Sequence, residues 1–289
     1  MNATVLLVGH GSRQADGNEE IGEFARRFAA DHPRWRIETC FIEFAEPLLD
    51  DGLDRAARGS ERVVVAPLIL NAAGHVKMEI PHHIALARDR HPNVEFVYAP
   101  HLGLGDPVLA VMRRRLRAAM AELDHPDPKT TGVVVLGRGS SDPGANGELA
   151  KLARRLFESG DHELVEIAFT GVTHPRLETV VQRQARLGMT QIVVLPCYLF
   201  AGVLITRIRR QMERLARQYP QMAFALGDYF GFEPEIAELL ATRIRAAADG
   251  GADAALPCDG CRFRTSAEAH GHDHHHHHHS NHDHHAESR

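Results

Sequence analysis

Two histidines in the first half of the chain have the setting that metal chemistry needs. His10 lies in the short segment Gly9-His-Gly-Ser12 directly after an apolar run, and His75 follows a second such run. Ligands bind beyond the carboxyl ends of the strands in an open parallel sheet, so we expect both imidazoles at one sheet edge. Neutral imidazoles suit borderline divalent ions such as cobalt, nickel, iron or zinc. The pattern predicts a site for one divalent ion.

Two carboxylates lie in the neighbouring loops. Glu43 follows the predicted second strand, and Glu79 comes shortly after His75. Either could supply a third metal ligand or accept a proton, because partial burial raises the pKa of a carboxylate toward neutrality. Glu46 has another interpretation, as a cap for the helix that follows it. A single histidine in such a loop is by default a solvated residue, but the glycines beside His10 let a ligand approach the backbone closely.

Other classes of ligand lack their motifs. Gln14 stands where a dinucleotide-binding loop needs glycine, and no Walker sequence follows, so no nucleotide cofactor is expected. The net charge of −5 and the single tryptophan argue against a nucleic-acid partner. The apolar runs are too short for a membrane span or a signal peptide, and four cysteines do not form a secreted disulfide framework. We therefore expect a cytoplasmic protein without a membrane partner.

The chain repeats itself once, at an offset of 128 residues. Val5-Leu-Leu-Val-Gly-His-Gly-Ser12 returns as Val133-Val-Val-Leu-Gly-Arg-Gly-Ser140, and Glu46-Pro47 aligns with His174-Pro175. Several matches at one offset indicate the duplication of a whole domain rather than a short solenoid repeat.

Apolar runs and helical periodicities alternate within each half. In the first half, strands are predicted at residues 4–8, 36–41, 62–68 and 95–98, and helices around 21–29 and at 48–58, 78–90 and 107–122. The predicted fold class is α/β, with two tandem doubly wound βα domains that each contain a parallel four-stranded sheet. We expect these domains at residues 1–126 and 130–248, followed by a disordered Cys/His-rich tail over residues 249–289.

Three segments of the first half resemble the class II tetrapyrrole chelatases, in particular the long, two-domain sirohydrochlorin cobaltochelatases. They are Leu6-Leu-Val-Gly-His-Gly-Ser-Arg13, Phe41-Ile-Glu-Phe-Ala-Glu-Pro47 and Pro67-Leu-Ile-Leu-Asn-Ala-Ala-Gly-His-Val-Lys-Met-Glu-Ile-Pro81. The resemblance covers about the first 248 residues. Its most specific feature is the spacing of the two histidines relative to their strands.

The resemblance implies an enzyme that inserts Co²⁺ into sirohydrochlorin during cobalamin synthesis. The reaction releases the pyrrole N–H protons and needs no ATP. His10 and His75 match the metal-handling pair of the family, and imidazoles of this kind replace water on the ion and position it. Glu43 and Glu79 are the candidate proton acceptors.

A polycarboxylate tetrapyrrole needs polar and cationic groups in its cleft. The candidate substrate-binding residues are Ser12, Arg13, Lys77 and Arg138. The repeat is asymmetric, because Arg138 replaces His10 and Val203 falls opposite His75. We therefore expect one active site per chain, with the first half handling the metal and the second half forming the opposite wall. A monomer can complete such a cleft, although the sequence leaves the oligomeric state open.

The tail is rich in potential metal ligands. Eleven histidines lie between His270 and His285, among them the consecutive His274, His275, His276, His277, His278 and His279. A purification tag would explain this run but not its flanking His-Asp steps, so a native cobalt or nickel reservoir is the favoured interpretation. Cys258-Asp-Gly-Cys261 could take part in an iron–sulfur cluster, as the resemblance implies for long members of the family. A cluster normally needs more thiolates, so zinc or cobalt binding, or no role, are the alternatives.

The sequence leaves several functions open. Iron insertion for sirohaem, or nickel insertion, would use nearly the same residues, because imidazole sites follow the Irving–Williams order. A non-catalytic cobalt or nickel storage or delivery protein is an alternative of another class. A periplasmic binding protein also has two α/β lobes, but the missing signal peptide argues against it.

Overall fold

Short runs rich in β-branched residues form the strands. In the computed structural model, which describes residues 3–249, these are β1 (Ala3–Gly9), β2 (Arg36–Phe41), β3 (Arg62–Pro67), β4 (Glu95–Tyr98), β5 (Thr131–Gly137), β6 (Val165–Phe169), β7 (Gln191–Pro196) and β8 (Ala223–Leu226). They form two parallel sheets, with the orders β2-β1-β3-β4 and β6-β5-β7-β8. The central strands are buried on both faces, which explains their continuous apolar sequences.

A helix follows each strand. The helices are α1 (Ala15–Asp31), α2 (Leu49–Ala57), α3 (Ile80–Arg90), α4 (Asp106–Met120), α5 (Pro143–Glu158), α6 (Leu177–Arg186), α7 (Val203–Gln218) and α8 (Pro234–Ala248). Their alternation with the parallel strands confirms the predicted α/β class and its two four-stranded sheets. One boundary differs, because the helix predicted at 78–90 is preceded by a π-helical turn over His75–Glu79.

The helices that end the two halves are exchanged between the sheets. α4 lies against β7 and β8 of the second sheet, whereas α8 lies against β3 and β4 of the first. Arg62 of β3 donates from Nη1 to the carbonyl oxygen of Ala248 at 2.7 Å. We define the first lobe as β1–β4 with α1–α3 and α8, and the second lobe as β5–β8 with α4–α7. Each lobe thus contains one helix from the other half of the sequence.

One apolar core joins the two lobes. It includes Leu7 and Val135 of the central strands and Val111 and Ile244 of the exchanged helices, all fully buried. Separate apolar clusters lie on the outer faces, under α2 and α3 in the first lobe and under α6 and α7 in the second. Because apolar burial is the main stabilising contribution to folding, we expect the two lobes to unfold together.

The cysteines of the described residues are core side chains. Cys40 and Cys197 are buried thiols, and burial raises the pKa of both to about 12, so neither suits thiolate chemistry. The predictions for Cys258, Cys261 and the histidines at 274–279 fall outside the described residues. Within residues 3–249, no helix combines the length and apolar character that crossing a bilayer requires.

Candidate metal centre in the cleft between the lobes

The strand order creates a crevice between β1 and β3. These strands are neighbours, but the chain leaves β1 toward α1 on the inner face of the sheet and leaves β3 toward α3 on the outer face. At such a switch point the two loops diverge and leave room for a ligand beyond the strand ends. His10 is the first residue after β1, and His75 begins the π-helical turn after β3. The fold therefore brings the two histidines to the same edge.

His10, Glu43 and His75 form a compact group of potential metal ligands. One ligand atom from each residue lies within 4.8 Å of the other two. The ring centroids of the two imidazoles are 4.8 Å apart, with ring planes at 81°, and Nδ1 of His10 is 3.5 Å from Oε1 of Glu43. Metal–ligand bonds of about 2.1 Å would draw these atoms slightly closer together. Two imidazoles and a carboxylate can thus converge on one divalent ion.

Backbone contacts hold the loop of Glu43 against the loop of His10. The backbone N–H of Glu43 donates to the carbonyl oxygen of His10 at 3.1 Å. Gly11 has a φ of 87°, and a Cβ built on it would lie 1.7 Å from the carbonyl oxygen of Glu43. Any side chain at this position would push the two loops apart. The packing of one site loop on another requires this glycine, whereas the sequence suggested only the approach of a ligand.

Glu79 orients His75 within the π-helical turn. Nδ1 of His75 lies 2.5 Å from Oε2 of Glu79. This hydrogen bond is the main cause that raises the pKa of His75 above its usual value of 6.5, while burial acts in the opposite direction. A carboxylate that holds one ring nitrogen leaves the other available to an ion, as is common for histidine ligands. π-helical turns are frequent at functional sites, but the sequence pattern predicted only an ordinary helix here.

Arg138 of the second lobe contacts the other histidine directly. Its Nη1 lies 3.0 Å from Nε2 of His10. A guanidinium can only donate, so Nε2 must accept, and His10 is neutral with its proton on Nδ1. Nδ1 of His10 lies 3.2 Å from the carbonyl oxygen of Gly11, which can accept this proton. Burial, followed by the charge of Arg138, lowers the pKa of His10. Arg138 therefore occupies the lone pair that His10 would offer to a metal ion.

Three of the four predicted substrate-binding residues, Ser12, Arg13 and Arg138, line the cleft, whose volume is about 1330 Å³, whereas Lys77 does not. The guanidinium carbon of Arg13 lies 4.8 Å from the ring centroid of Phe44. Lys77 forms an ion pair with Asp142 of the second lobe. The hydroxyl of Ser12 accepts a backbone hydrogen bond within its own loop, so it also shapes that loop. The cleft exceeds the roughly 300–1,000 Å³ of typical small-ligand pockets and has room for a macrocycle.

The sequence interpretation missed Asp142, which forms an ion pair with the predicted site residue Lys77. The side chain of Asp142 accepts from the backbone N–H of Gly144 at 2.8 Å at the start of α5. Its hydrogen bond with Lys77 is the main cause that lowers its pKa. Gln14 is the equivalent residue of the first half at the 128-residue offset. A position-by-position comparison of the two halves would have identified this carboxylate as specific to the second half.

Comparison with known proteins shows the family of this chain. The family model described as CbiX matches residues 4–119 and matches the chain again over residues 132–247. The chain belongs to the CbiX family. Both matched segments lie within the two halves of the repeat, so the duplication is a duplication of the CbiX unit.

Three relatives of this CbiX-family chain cover most of its length. The sirohydrochlorin cobaltochelatase of Priestia megaterium is 39% identical over 272 residues, with 92% of this chain and 86% of that protein covered. The sirohydrochlorin ferrochelatase of the same organism is 29% identical over 242 residues, with 83% and 89% covered. The solved structure of SirB from Bacillus subtilis with Fe³⁺ has a TM-score of 0.74 and 28% identity, with 87% and 97% covered. The chain is a metal-inserting enzyme of the chelatase class.

Proposed function

We propose that this CbiX-family enzyme inserts Co²⁺ into sirohydrochlorin, as a step of cobalamin synthesis. The observation that carries the proposal is the convergence of His10, Glu43 and His75 on one point of a cleft large enough for a macrocycle. Both walls of the cleft come from one chain, so a monomer can hold the complete site. No nucleotide takes part.

Insertion exchanges the pyrrole N–H protons of the macrocycle for the metal ion. Co²⁺ must lose water, and the imidazoles of His10 and His75 replace that water and position the ion. The protons leave to carboxylates, for which Glu43 is the nearer candidate because it belongs to the ligand group. Glu79 acts through His75, whose Nδ1 it holds. No electron is transferred and no phosphoryl group is consumed.

Both lobes supply positive charge for the substrate. Sirohydrochlorin carries carboxylates on its periphery, and Arg13 of the first lobe and Arg138 of the second line the cleft that would receive it. Lys77 is a third cation proposed to contact these carboxylates. A bound carboxylate can compete for the guanidinium of Arg138 and draw it away from Nε2 of His10. Substrate binding would then release the lone pair that the metal needs, so the macrocycle and the ion are brought together in one site.

Cobalt is the proposed metal because two features favour it. The relative at 39% identity is a cobaltochelatase, whereas the ferrochelatase of the same organism is 29% identical. The run of histidines at 274–279 suits cobalt or nickel. Iron or nickel insertion would use the same three ligands and is the second candidate.

The test is an anaerobic insertion assay. Protein, sirohydrochlorin and Co²⁺, Fe²⁺ or Ni²⁺ are mixed in parallel, and the absorption spectrum of the macrocycle is followed. We expect acceleration over the uncatalysed rate to be largest with Co²⁺. Faster insertion of Fe²⁺ or Ni²⁺ would replace cobalt in the proposal. Metal binding without any acceleration would instead indicate a storage or delivery protein.

The tail is proposed as a reservoir of ions. Replacing the six histidines at 274–279 with asparagine should lower the number of Co²⁺ ions bound in equilibrium dialysis. The insertion rate at saturating Co²⁺ should stay unchanged, because the ligand group of the cleft is untouched. A loss of insertion at saturating Co²⁺ would show instead that the tail takes part in the reaction.

A further inference from the structure

Two cleft residues keep a strained backbone while they expose large apolar side chains. Phe44 has a φ of 64° and Val172 a φ of 60°, in the left-handed region. A β-branched or bulky residue is a rare outlier there, and such strain is typical of functional sites. Phe44 is 49% exposed and Val172 is 60% exposed, so burial of these side chains in the core does not offset the backbone strain.

The two residues are equivalents under the repeat. They lie at the 128-residue offset, Phe44 in the loop after β2 and Val172 in the loop after β6. Both line the same cleft, one from each lobe. The side chains differ, but the conformation, the apolar character and the exposure are shared. The common feature is therefore an apolar tip on each wall of the cleft.

Backbone hydrogen bonds hold both tips in place. Each loop is closed at its base and is tied near its tip to the loop that carries His10 or Arg138. The four bonds are Phe41 N–H to Pro47 O at 2.9 Å, Glu43 N–H to His10 O at 3.1 Å, Phe169 N–H to Pro175 O at 2.9 Å and Gly171 N–H to Arg138 O at 2.9 Å. These hydrogen bonds fix the tips relative to the loops that carry His10 and Arg138. The surrounding structure therefore maintains the strained conformations of Phe44 and Val172.

We propose that Phe44 and Val172 contact the apolar ring system of the tetrapyrrole and position its nitrogens at the metal group. This assignment rests on the proposed function. A conjugated macrocycle is apolar in its centre and charged at its rim, so its centre needs apolar contacts and its rim needs cations. Arg13, whose guanidinium lies over the ring of Phe44, is placed to meet a rim carboxylate beside that contact. Both are positioning residues, because they line the cleft that contains the ligand group without belonging to that group.

The decisive variant is Val172→Gly, which removes both the strain and the apolar contact. Glycine adopts positive φ readily, so we expect the melting temperature to rise by about 2–4 °C. We also expect the Kd for sirohydrochlorin, measured without metal by fluorescence quenching, to rise about tenfold through the lost apolar contact. Val172→Ile keeps the apolar tip and should bind like the wild type. Leu187→Ala, at an apolar residue that is 59% exposed and does not line the cleft, is the matched control and should change neither quantity.

The combination of a higher melting temperature with weaker binding separates a positioning role from a structural one. Unchanged sirohydrochlorin affinity in Val172→Gly would overturn the proposal, and so would a lower melting temperature, because the strain argument would then fail. Insertion of Co²⁺ by the wild type tests the proposed function separately. A wild type that binds sirohydrochlorin but does not insert metal would refute that function and leave the apolar contact standing.

Discussion

The loops after β1 and after β5 share one backbone but carry different chemistry. In each loop an asparagine side chain bridges the backbone N–H and carbonyl of a serine; the pairs are Asn18 with Ser12 and Asn146 with Ser140. The glycine between the functional residue and that serine, Gly11 or Gly139, has a φ of 87° in both. The duplicated scaffold is therefore preserved down to individual hydrogen bonds.

The group of potential metal ligands, His10, Glu43 and His75, is not preserved in the second half. At the 128-residue offset, its three members are replaced by residues that cannot bind an ion; the pairs are His10 and Arg138, Glu43 and Gly171, and His75 and Val203. The first lobe holds the candidate ligands, and the second lobe supplies a cation and an apolar wall. In the proposed function, both copies keep the fold while one copy binds the metal and the other binds the substrate around it. Five experiments test this division of roles between the lobes.

The largest difference is expected between His10→Ala and Arg138→Ala. Loss of a metal ligand should lower the rate of Co²⁺ insertion at saturating sirohydrochlorin by at least about 100-fold, since even outer-sphere changes at metal sites cost 10–100-fold. Arg138→Ala should mainly raise the KM for sirohydrochlorin, because it removes a cation and no ligand. Stopped-flow absorption measures both. Equal losses at saturating substrate would show that the lobes do not divide the work in this way.

Arg138→Gln should strengthen metal binding in the absence of sirohydrochlorin. The guanidinium of Arg138 competes for Nε2 of His10 and also repels a cation, so we expect Co²⁺ to bind about tenfold more tightly to the variant by calorimetry. Arg154→Gln, at an arginine paired with Glu158 on the surface of α5, is the matched control. Unchanged or weaker Co²⁺ binding in Arg138→Gln would contradict the competition.

The pKa values of His10 and His75 should be shifted in opposite directions. The pKa of His75 is raised, mainly by Glu79, and that of His10 is lowered, mainly by burial, so NMR should show His75 taking up its proton at higher pH. Protonated His75 cannot bind metal, so Co²⁺ affinity should fall as the pH drops through the pKa of His75. Glu79→Gln should move this fall to lower pH. A midpoint that does not move would show that another group controls metal binding.

The linked effect on stability has the corresponding sign. The raised pKa of His75 stabilises the fold fully below pH 6.5, and this contribution is lost as the pH rises through the folded-state value. His10 acts oppositely, because its lowered pKa makes the fold less stable as the pH falls below 6.5. Glu79→Gln should therefore reduce the free energy of unfolding below pH 6.5 and leave it nearly unchanged above the raised pKa.

The smallest effect is expected at the ion pair between the lobes. Lys77 is 52% exposed, so its pair with Asp142 contributes no more than about 1 kcal/mol to stability. Asp142→Asn keeps an oxygen for the N–H of Gly144 but releases Lys77 to substrate carboxylates, and should lower the KM for sirohydrochlorin about twofold. Lys77→Met should raise it by a similar factor. Salt should reduce both changes; an effect that survives high salt would point to a different contact.

Much of the fold and part of the site could be predicted from the sequence. The strand ends that precede His10 and His75 were predicted because a buried strand leaves a continuous apolar run, and its end locates the polar loop that follows. The pairing of His75 with Glu79 was not predicted, because it depends on a π-helical turn that has no periodicity of its own. Phe44 was not identified either, since its strained φ is visible only in the folded backbone.

The duplication, the α/β alternation and the asymmetry between His10 and Arg138 can be recognised without a structure, because these are properties of residue order along the chain. The contact of Arg138 with Nε2 of His10 and the exchange of α4 and α8 between the lobes are visible only in the folded protein. The physical reason is that both depend on how two separately formed sheets pack on one shared core. Contacts made across that core join residues far apart in the sequence and leave no local pattern to read.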